Sequence, residues 1–228
     1  MTQAGRSGLL RRRALAAGLF AAFGGALPLA ARAGAQLEEP LADKVRSALA
    51  AAVAESAPPR PSFTSIDERL AYLRWLGATS EKLKRRKSEH GVRVEFLEAV
   101  WYESKRAGLE PALVLGLIQV ESGFRKYAIS SAGARGYMQV MPFWARTIGN
   151  GDVSRLFHMQ TNLRFGCVIL RHYLDIEKGD LFLALGRYNG SRGRSEYPGA
   201  VFANRRLWLD DATAPAATAA ATAAVPGS

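Results

Sequence analysis

The sequence has few of the residues on which metal centres and disulfide frameworks depend: one cysteine and three histidines in 228 residues. A single cysteine cannot form a disulfide within the chain, and Cys167 lies in an apolar helical pattern, which is typical of a small core residue. The histidines, His90, His158 and His172, lack a metal-ligand spacing, and no convincing Ser/His/Asp order, phosphate-binding loop or dinucleotide motif is present. We therefore expect no metal and no cofactor.

The sequence also lacks the sustained alternation of apolar and polar residues that indicates half-buried strands. Apolar residues instead recur three and four positions apart, as in Val92, Phe96 and Val100. This spacing predicts a mainly α-helical protein with few or no strands.

Acidic residues are absent from the first 35 positions, which contain five arginines. Three of these arginines, at 11–13, precede an apolar run over 14–27, and small residues follow. This order is typical of an export signal, and the run is too short for a convincing membrane span. Arg12-Arg13 loosely matches a twin-arginine signal; a Sec signal and a retained anchor helix are the alternatives. We predict a signal peptide over 1–35 and a periplasmic or otherwise exported protein without a stable membrane span after cleavage.

The stretch from 111 to 142 changes from an apolar run to a polar, glycine-containing loop. Pro111 suits the first position of a helix, because the missing N–H would have no partner there. Residues 112–120 are almost all apolar, which predicts a helix buried on every side. Gly123 suits the turn that ends a helix, so Glu121 is expected in the last helical turn.

A carboxyl group in that position has a raised pKa, because burial and the partial negative charge of the helix C-terminus both disfavour ionisation. A general acid that works near neutral pH needs such a pKa. The alternative is a structural role, in which Glu121 pairs with Arg125 or Arg135.

Four sequence blocks follow one another in a fixed order: ESGF at 121–124, GARGYMQVMP at 133–142, Asn162 with Gly166 and Leu170, and YNG at 188–190. In this order they resemble the soluble, Slt-type lytic transglycosylases, relatives of goose-type lysozyme. The resemblance covers roughly residues 109–208. Four ordered blocks are far more specific than any single one.

The resemblance implies a lysozyme-like α-helical catalytic domain that cleaves the β-1,4 bond between N-acetylmuramic acid and N-acetylglucosamine. Glu121 would protonate the leaving oxygen and then, as a carboxylate, accept the proton of the muramoyl C6 hydroxyl. That hydroxyl attacks C1 and closes a 1,6-anhydro ring. The family needs no second carboxylate, because the N-acetyl carbonyl of the sugar stabilises the cation. No acidic residue lies between Glu121 and Asp152, whereas an ordinary glycosidase needs a second carboxylate.

The resemblance also implies a substrate groove around Glu121. Its predicted substrate-binding residues are Ser122, Gly136, Tyr137, Met138, Gln139, Tyr188 and Asn189. The Tyr188 hydroxyl is expected near Glu121, where it would assist proton movement. Without the resemblance, Met138 and Tyr188 would be interpreted as packing residues and Ser122 as the end of the helix.

The sequence departs from the family pattern at several positions. Tyr137 replaces Leu, Phe143-Trp144 replaces Ala-Thr, Arg187 replaces Ala, and Gly190-Ser191 replaces Ala-Gly. These changes suggest an altered groove lip, with Tyr137 or Trp144 either stacked on a sugar or buried.

The rest of the chain divides by composition. We predict that residues 36–61 form a linker, which contains one short helix around 41–53, and that residues 62–107 form extra helices packed on the core. The catalytic domain is predicted over 108–211, and a disordered Ala/Thr/Pro tail over 212–228. In the extra helices, Phe63, Ile66, Leu70 and Leu73 recur at helical spacing, and Tyr72, Trp75 and Leu76 widen that apolar face. The basic run at 82–87 is interpreted as a solvated helix face or as a patch that steers the protein onto anionic glycan.

Loss of the first 35 residues lowers the formal net charge from +11 to +6, because five arginines and no acids are removed. A basic exported protein has anionic wall polymers and peptidoglycan stem carboxylates as partners. We expect a monomer that acts on peptidoglycan glycan strands and does not bind nucleic acid. Two other functions remain open: a goose-type hydrolase that uses a positioned water with Asp152 as its base, and a catalytically inactive peptidoglycan-binding protein.

Overall fold

The computed structural model describes residues 36, 38–54 and 63–209; the predicted signal peptide and C-terminal tail lie outside the described residues. The helices are α1 (Asp43–Ala54), α2 (Ile66–Leu83), α3 (His90–Arg106), α4 (Pro111–Glu121), α5 (Pro142–Thr147), α6 (Met159–Ile176), α7 (Leu181–Asn189) and α8 (Glu196–Trp208), with a 3-10 helix (Val153–Phe157) before α6. The described residues form no strand beyond isolated bridges of Arg135 with Ile129 and Val140. The predicted mainly α-helical class is confirmed. Within these ranges no helix combines the length and hydropathy that crossing a membrane requires.

Helix α4 is the centre of the fold. Its first eight residues, from Pro111 to Ile118, are all buried, as the apolar run predicted. Helix α8 packs directly against it. A Cβ atom on Gly116 would lie 2.6 Å from the backbone nitrogen of Arg205, so only glycine permits this close approach of the two helices.

The predicted apolar face of α2 is wrong in its first half. Ile66, Leu70 and Leu73 are exposed, at 78%, 42% and 49%, whereas Tyr72 and Trp75 are buried. The aromatic face is the buried one because large rings bury more apolar area than aliphatic chains. Tyr72 and Trp75 pack against Trp101 of α3.

The basic run at 82–87 is largely solvated, as interpreted, because Lys82, Lys84, Arg85 and Arg86 are exposed. Leu83 and Lys87 of the same run also pack against the rest of the fold. Leu83 is fully buried, and Lys82 Nζ donates a hydrogen bond to the carbonyl of Leu209 at 3.0 Å. Lys87 Nζ donates to the Tyr137 hydroxyl at 2.7 Å and lies over the Phe96 ring. Helix α3 packs on α4 and α6, so residues 63–106 share one hydrophobic core with the later helices.

The described residues before α2 form what we call the N-terminal strap, comprising residue 36 and residues 38–54. Its helix α1 forms close to the predicted range and packs on α6. Arg106 of α3 donates a hydrogen bond to the carbonyl of Ala52 at the end of α1.

Candidate active site

Glu121 is the last residue of α4 and is 7% exposed. Ser122 caps the helix, and Gly123 follows with φ +57, the left-handed conformation that glycine adopts easily. The sequence predicted both the helix end and the buried acid. The chain reaches this point inside the core because α4 is apolar on every side.

The environment of Glu121 favours its protonated form. Burial raises its pKa to about 8, and a hydrogen bond from Tyr197 partly opposes that rise. The Tyr197 hydroxyl donates to Oε1 at 2.5 Å, whereas Oε2 is buried and has no hydrogen-bond partner among the described residues. Buried polar atoms are normally satisfied, so an unpartnered Oε2 is the atom expected to meet a ligand.

The structural role considered for Glu121 does not hold. Arg125 Nε donates to the carbonyl of Ser122 at 2.9 Å, and Arg135 Nη1 donates to the carbonyl of Val153 at 3.2 Å. Among the described residues no salt bridge forms at Glu121. A neutral acid with one free oxygen is the arrangement of a proton donor.

Tyr197, in the first turn of α8, is the residue that sequence reasoning missed. The hydroxyl expected beside Glu121 was that of Tyr188, but Tyr188 donates instead to the carbonyl of Met138 at 2.8 Å. Tyr188 is still close enough for the charge of Glu121 to raise its pKa, in addition to the larger effect of burial. Tyr197 lies 76 positions from Glu121. Only the packing of α8 on α4 brings the two together, and no local pattern signals it.

The glycine-containing loop after Glu121 is held by Asn162 of α6. Asn162 Oδ1 accepts from the backbone nitrogen of Met138, and its Nδ2 donates to the carbonyls of Arg135 and Leu156, all at 2.8 Å. Gly136 has φ +76, and a Cβ there would lie 2.4 Å from Asn162 Nδ2. Asn162 is therefore the hub that shapes the loop. Position 136 requires glycine because any side chain there would clash with Asn162.

Several predicted substrate-binding residues also shape this loop. The Gln139 side chain donates to the carbonyls of Ala128 and Gly136, at 3.1 and 2.9 Å. Met138 is fully buried and packs against Gly166, where a Cβ would lie 2.3 Å from its sulfur. Ser122 Oγ donates to the carbonyl of Tyr137 at 2.7 Å. These contacts are internal, so direct contact of Ser122, Gly136, Met138 and Gln139 with substrate stays a prediction.

Asn189 offers a second unsatisfied acceptor. It is buried at the end of α7, its Nδ2 donates to Ser191 Oγ at 3.1 Å, and its Oδ1 has no partner among the described residues. Asn189 directly follows Tyr188, which senses the charge of Glu121. An amide oxygen left open in this way suits the N–H of an acetamido group.

The departures from the family pattern do not form a stacking surface at the groove lip. Tyr137 and Trp144 are each 3% exposed. The Tyr137 ring packs on Phe96, with centroids 4.8 Å apart, and the Trp144 indole donates to Gln36 Oε1 at 2.9 Å. Both rings are used in packing the N-terminal segments, so neither offers a free face to a sugar.

Two other candidates have no catalytic geometry. The carboxylate of Asp152 caps the 3-10 helix, where hydrogen bonds from Ser154 lower its pKa. Burial raises the pKa of the Cys167 thiol far above its usual value, which disfavours the reactive thiolate. Within the ranges that the structure describes, no group of three or more His, Cys, Asp or Glu side chains could hold a metal ion.

Comparison with known proteins also points to the transglycosylases. Residues 98–203 match the family model of the transglycosylase SLT domain. A transglycosylase of Enterobacteria phage PRD1 is 31% identical over 141 residues, which cover 59% of this chain and 52% of that protein. Membrane-bound lytic murein transglycosylase C of Actinobacillus pleuropneumoniae is 38% identical over 94 residues, which cover 41% of this chain and 24% of that protein.

A solved structure is also similar, that of an inactive mutant of the lytic transglycosylase Slt from Pseudomonas aeruginosa. It aligns with a TM-score of 0.39 and 26% identity, covering 63% of this chain and 24% of that one. The chain thus spans 52% of the phage relative and 24% of transglycosylase C. The matched region contains Glu121, the loop that Asn162 holds, Tyr188-Asn189 and Tyr197. The match of residues 98–203 to the transglycosylase SLT domain, together with the lytic transglycosylase relatives, confirms the predicted resemblance to Slt-type lytic transglycosylases.

Proposed function

We propose that the protein is a peptidoglycan lytic transglycosylase, which cleaves the bond between N-acetylmuramic acid and N-acetylglucosamine and forms 1,6-anhydro-N-acetylmuramic acid. One observation carries the proposal: a buried Glu121 whose pKa is raised to about 8, with Oε1 bonded to Tyr197 and Oε2 unpartnered. The SLT domain match and the transglycosylase relatives support the reaction class.

In the first step Glu121 donates its proton from Oε2 to the glycosidic oxygen, and the bond to C1 breaks with the electron pair leaving on that oxygen. The acid is protonated at neutral pH because its pKa lies above 7. The carboxylate that remains is stabilised by the hydrogen bond from Tyr197, which strengthens when its acceptor becomes charged.

In the second step the same carboxylate accepts the proton of the muramoyl C6 hydroxyl, whose oxygen forms a bond to C1. The raised pKa also makes Glu121 a stronger base, so one environment serves both steps. The net reaction consumes no water. The open Oδ1 of Asn189 accepts from the acetamido N–H of the sugar and fixes its orientation.

The hydrolytic alternative has less support. It requires a base that activates water, and the carboxylate considered for that role, Asp152, is engaged in capping a 3-10 helix. An inactive binding protein would have no use for a buried carboxyl with a raised pKa, which costs stability whenever it ionises.

Digestion of purified sacculi, followed by mass spectrometry, tests the proposal. Anhydro-muropeptides are expected. Release of muropeptides with reducing ends would show that the protein is a hydrolase and not a transglycosylase. Release of no product would favour a binding protein. The matched control is Glu121→Gln, which keeps the shape of the side chain; full release by this variant would overturn the assignment of the acid.

We infer that residues 1–35 direct export and that the protein acts as a monomer on glycan strands in the periplasm or otherwise outside the cytoplasm. We also infer that residues 62–107 belong to the same folded unit as the catalytic domain at 108–211, because the two share one hydrophobic core. Mass spectrometry of the secreted protein and its sedimentation coefficient would test the first two inferences. N-terminal truncation at residue 62 and at residue 107 would test the third, since only the shorter product should fail to fold.

A further inference from the structure

Arg187 occupies the position immediately before Tyr188-Asn189, where the family pattern has alanine. Its guanidinium bonds with two carboxylates from different parts of the chain. Nε donates to Glu177 Oε1 at the end of α6, and Nη1 donates to both oxygens of Glu39 in the N-terminal strap, at 3.0 and 3.3 Å. A long charged side chain that replaces alanine therefore ties α7 to two other segments.

Glu177 also holds the turn that follows α7. Arg192 binds it with two hydrogen bonds, Nε to Oε1 at 2.7 Å and Nη2 to Oε2 at 2.9 Å, the paired geometry that guanidinium and carboxylate favour. The Glu177 side chain is 5% exposed. Hydrogen bonds from Arg192 and Arg187 lower its pKa to about 2, so it stays ionised throughout the neutral range.

These ion pairs flank Asn189 on both sides. Between Arg187 and Arg192 the chain reverses at Gly190, which has φ +78, and the Ser191 nitrogen donates to the carbonyl of Gly186 at 2.7 Å. A Cβ on Gly186 would lie 2.8 Å from the Arg192 Cα, so the turn lies flat against α7. The orientation of Asn189 thus depends on a turn whose two ends, Arg187 and Arg192, both bond with the carboxylate of Glu177.

The N-terminal strap is also contacted by a second residue that departs from the family pattern, Trp144. Trp144 donates to Gln36, three residues before Glu39, so two departures contact one short segment. This segment lies outside residues 98–203, which match the SLT domain. Its contacts with Trp144 and Arg187 therefore come from outside the matched domain.

We propose that Glu177, Arg187 and Glu39 form a clamp of positioning residues, which holds Tyr188-Asn189 in the orientation that the reaction needs. The proposal rests on the proposed transglycosylase function. We assign none of the three to contact with substrate. Glu177 bonds with Arg187 and Arg192 at the two ends of the turn, and Glu39 bonds with Arg187 from the strap. Misplacement of a positioned group by about 1 Å can cost about a hundredfold in rate, so loosening this turn lowers kcat.

The test compares Glu177→Gln with Asp175→Asn in the full chain, on purified glycan strands, by counting anhydro ends released. Asp175 is the matched control, because its side chain is exposed and its one ion pair among the described residues is with Arg171. Glu177→Gln should lower kcat about tenfold with KM little changed, and Asp175→Asn should leave both unchanged. The alkaline limb of the pH profile should not move, because the clamp acts on Asn189 and leaves the pKa of Glu121 as it is.

A double-mutant cycle isolates the strap. Glu39→Gln should lower kcat in the parent chain and have no further effect in an Arg187→Ala background, because the two share one interaction. Glu38→Gln, in the same segment, is the control. Additive losses would assign Glu39 a role that does not pass through Arg187 and would overturn the clamp.

Amide hydrogen exchange separates this proposal from the proposed function. Glu177→Gln should speed exchange across 181–191 while α4 keeps its protection, whether or not the chain is active. Unchanged kcat and unchanged exchange in that variant would overturn the clamp. An inactive parent chain with the expected exchange would overturn the transglycosylase function and leave the clamp standing as a structural element.

Discussion

The Tyr197 hydroxyl donates a hydrogen bond of 2.5 Å to Glu121 Oε1, joining the first turn of α8 to the last turn of α4. Burial and the charge of Glu121 raise the pKa of Tyr197 well above its usual value, so the phenol is a donor at every working pH. Glu121 therefore has a constant partner on one oxygen, and its other oxygen has no hydrogen-bond partner among the described residues.

Tyr197→Phe removes that partner. The bond lowers the pKa of Glu121, so its loss should move the alkaline limb of the pH profile of kcat/KM to higher pH. The carboxylate intermediate also loses a charge-assisted bond, which should cost roughly 10- to 100-fold in kcat. Tyr188→Phe is the comparison: it loses a bond to Met138 and should leave the limb in place. A limb that moves only in Tyr188→Phe would reverse the roles of the two phenols.

Activity should depend on pH through Glu121. The group must be protonated to begin the reaction, and its raised pKa means that it is protonated below about 8. We expect kcat/KM to stay flat toward neutral pH and to fall about tenfold per unit above pH 8. Initial rates of anhydro-end formation between pH 5 and 10 would measure it. A decline centred near 4.5, the ordinary value for Glu, would contradict the buried state of the acid.

Glu121→Gln should abolish turnover and stabilise the fold at high pH. General acid catalysis contributes about 10²- to 10⁴-fold, so release should fall by at least that factor. The folded-state pKa lies above the ordinary value of 4.5. The parent chain therefore loses stability as pH rises from 4.5 to 8, by up to about 1.4 kcal/mol per unit. The neutral amide avoids this loss. The difference in Tm between variant and parent should grow from pH 5 to pH 9; a constant difference would contradict the linkage.

Two glycines in the loop after Glu121 give a matched pair. Gly133 and Gly136 both have positive φ, but only Gly136 would place a Cβ against Asn162. Gly133→Ala should cost about 1–2 kcal/mol of unfolding free energy from backbone strain alone. Gly136→Ala should cost more and reduce activity, because the hub at Asn162 must move. Urea unfolding would measure both, and equal losses would remove the proposed role of Asn162.

The parts of the site that could be predicted are those encoded in neighbouring residues. The run after Pro111, followed by Gly123, specifies a buried helix and its end, and so places Glu121. The first half of α2 shows where this reasoning fails: two apolar stripes overlap, and the aromatic contacts of Trp75 with Trp101 decide which one is buried. Contacts between distant segments, such as Tyr197 with Glu121 or Glu39 with Arg187, leave no periodic signal and come only from the packing of whole helices.

The absence of a side chain at Gly116 has a consequence for how this domain can vary. Helices α4 and α8 touch backbone to backbone there, five residues before Glu121 on α4, and at Val201 and Arg205, four and eight residues after Tyr197 on α8. We expect the distance between the two helices at this crossing to influence the separation of Glu121 and Tyr197. A methyl group at position 116 would push the two helices apart and lengthen the hydrogen bond between Tyr197 and Glu121 without contacting either residue. The catalytic rate should therefore respond to the spacing of these two helices.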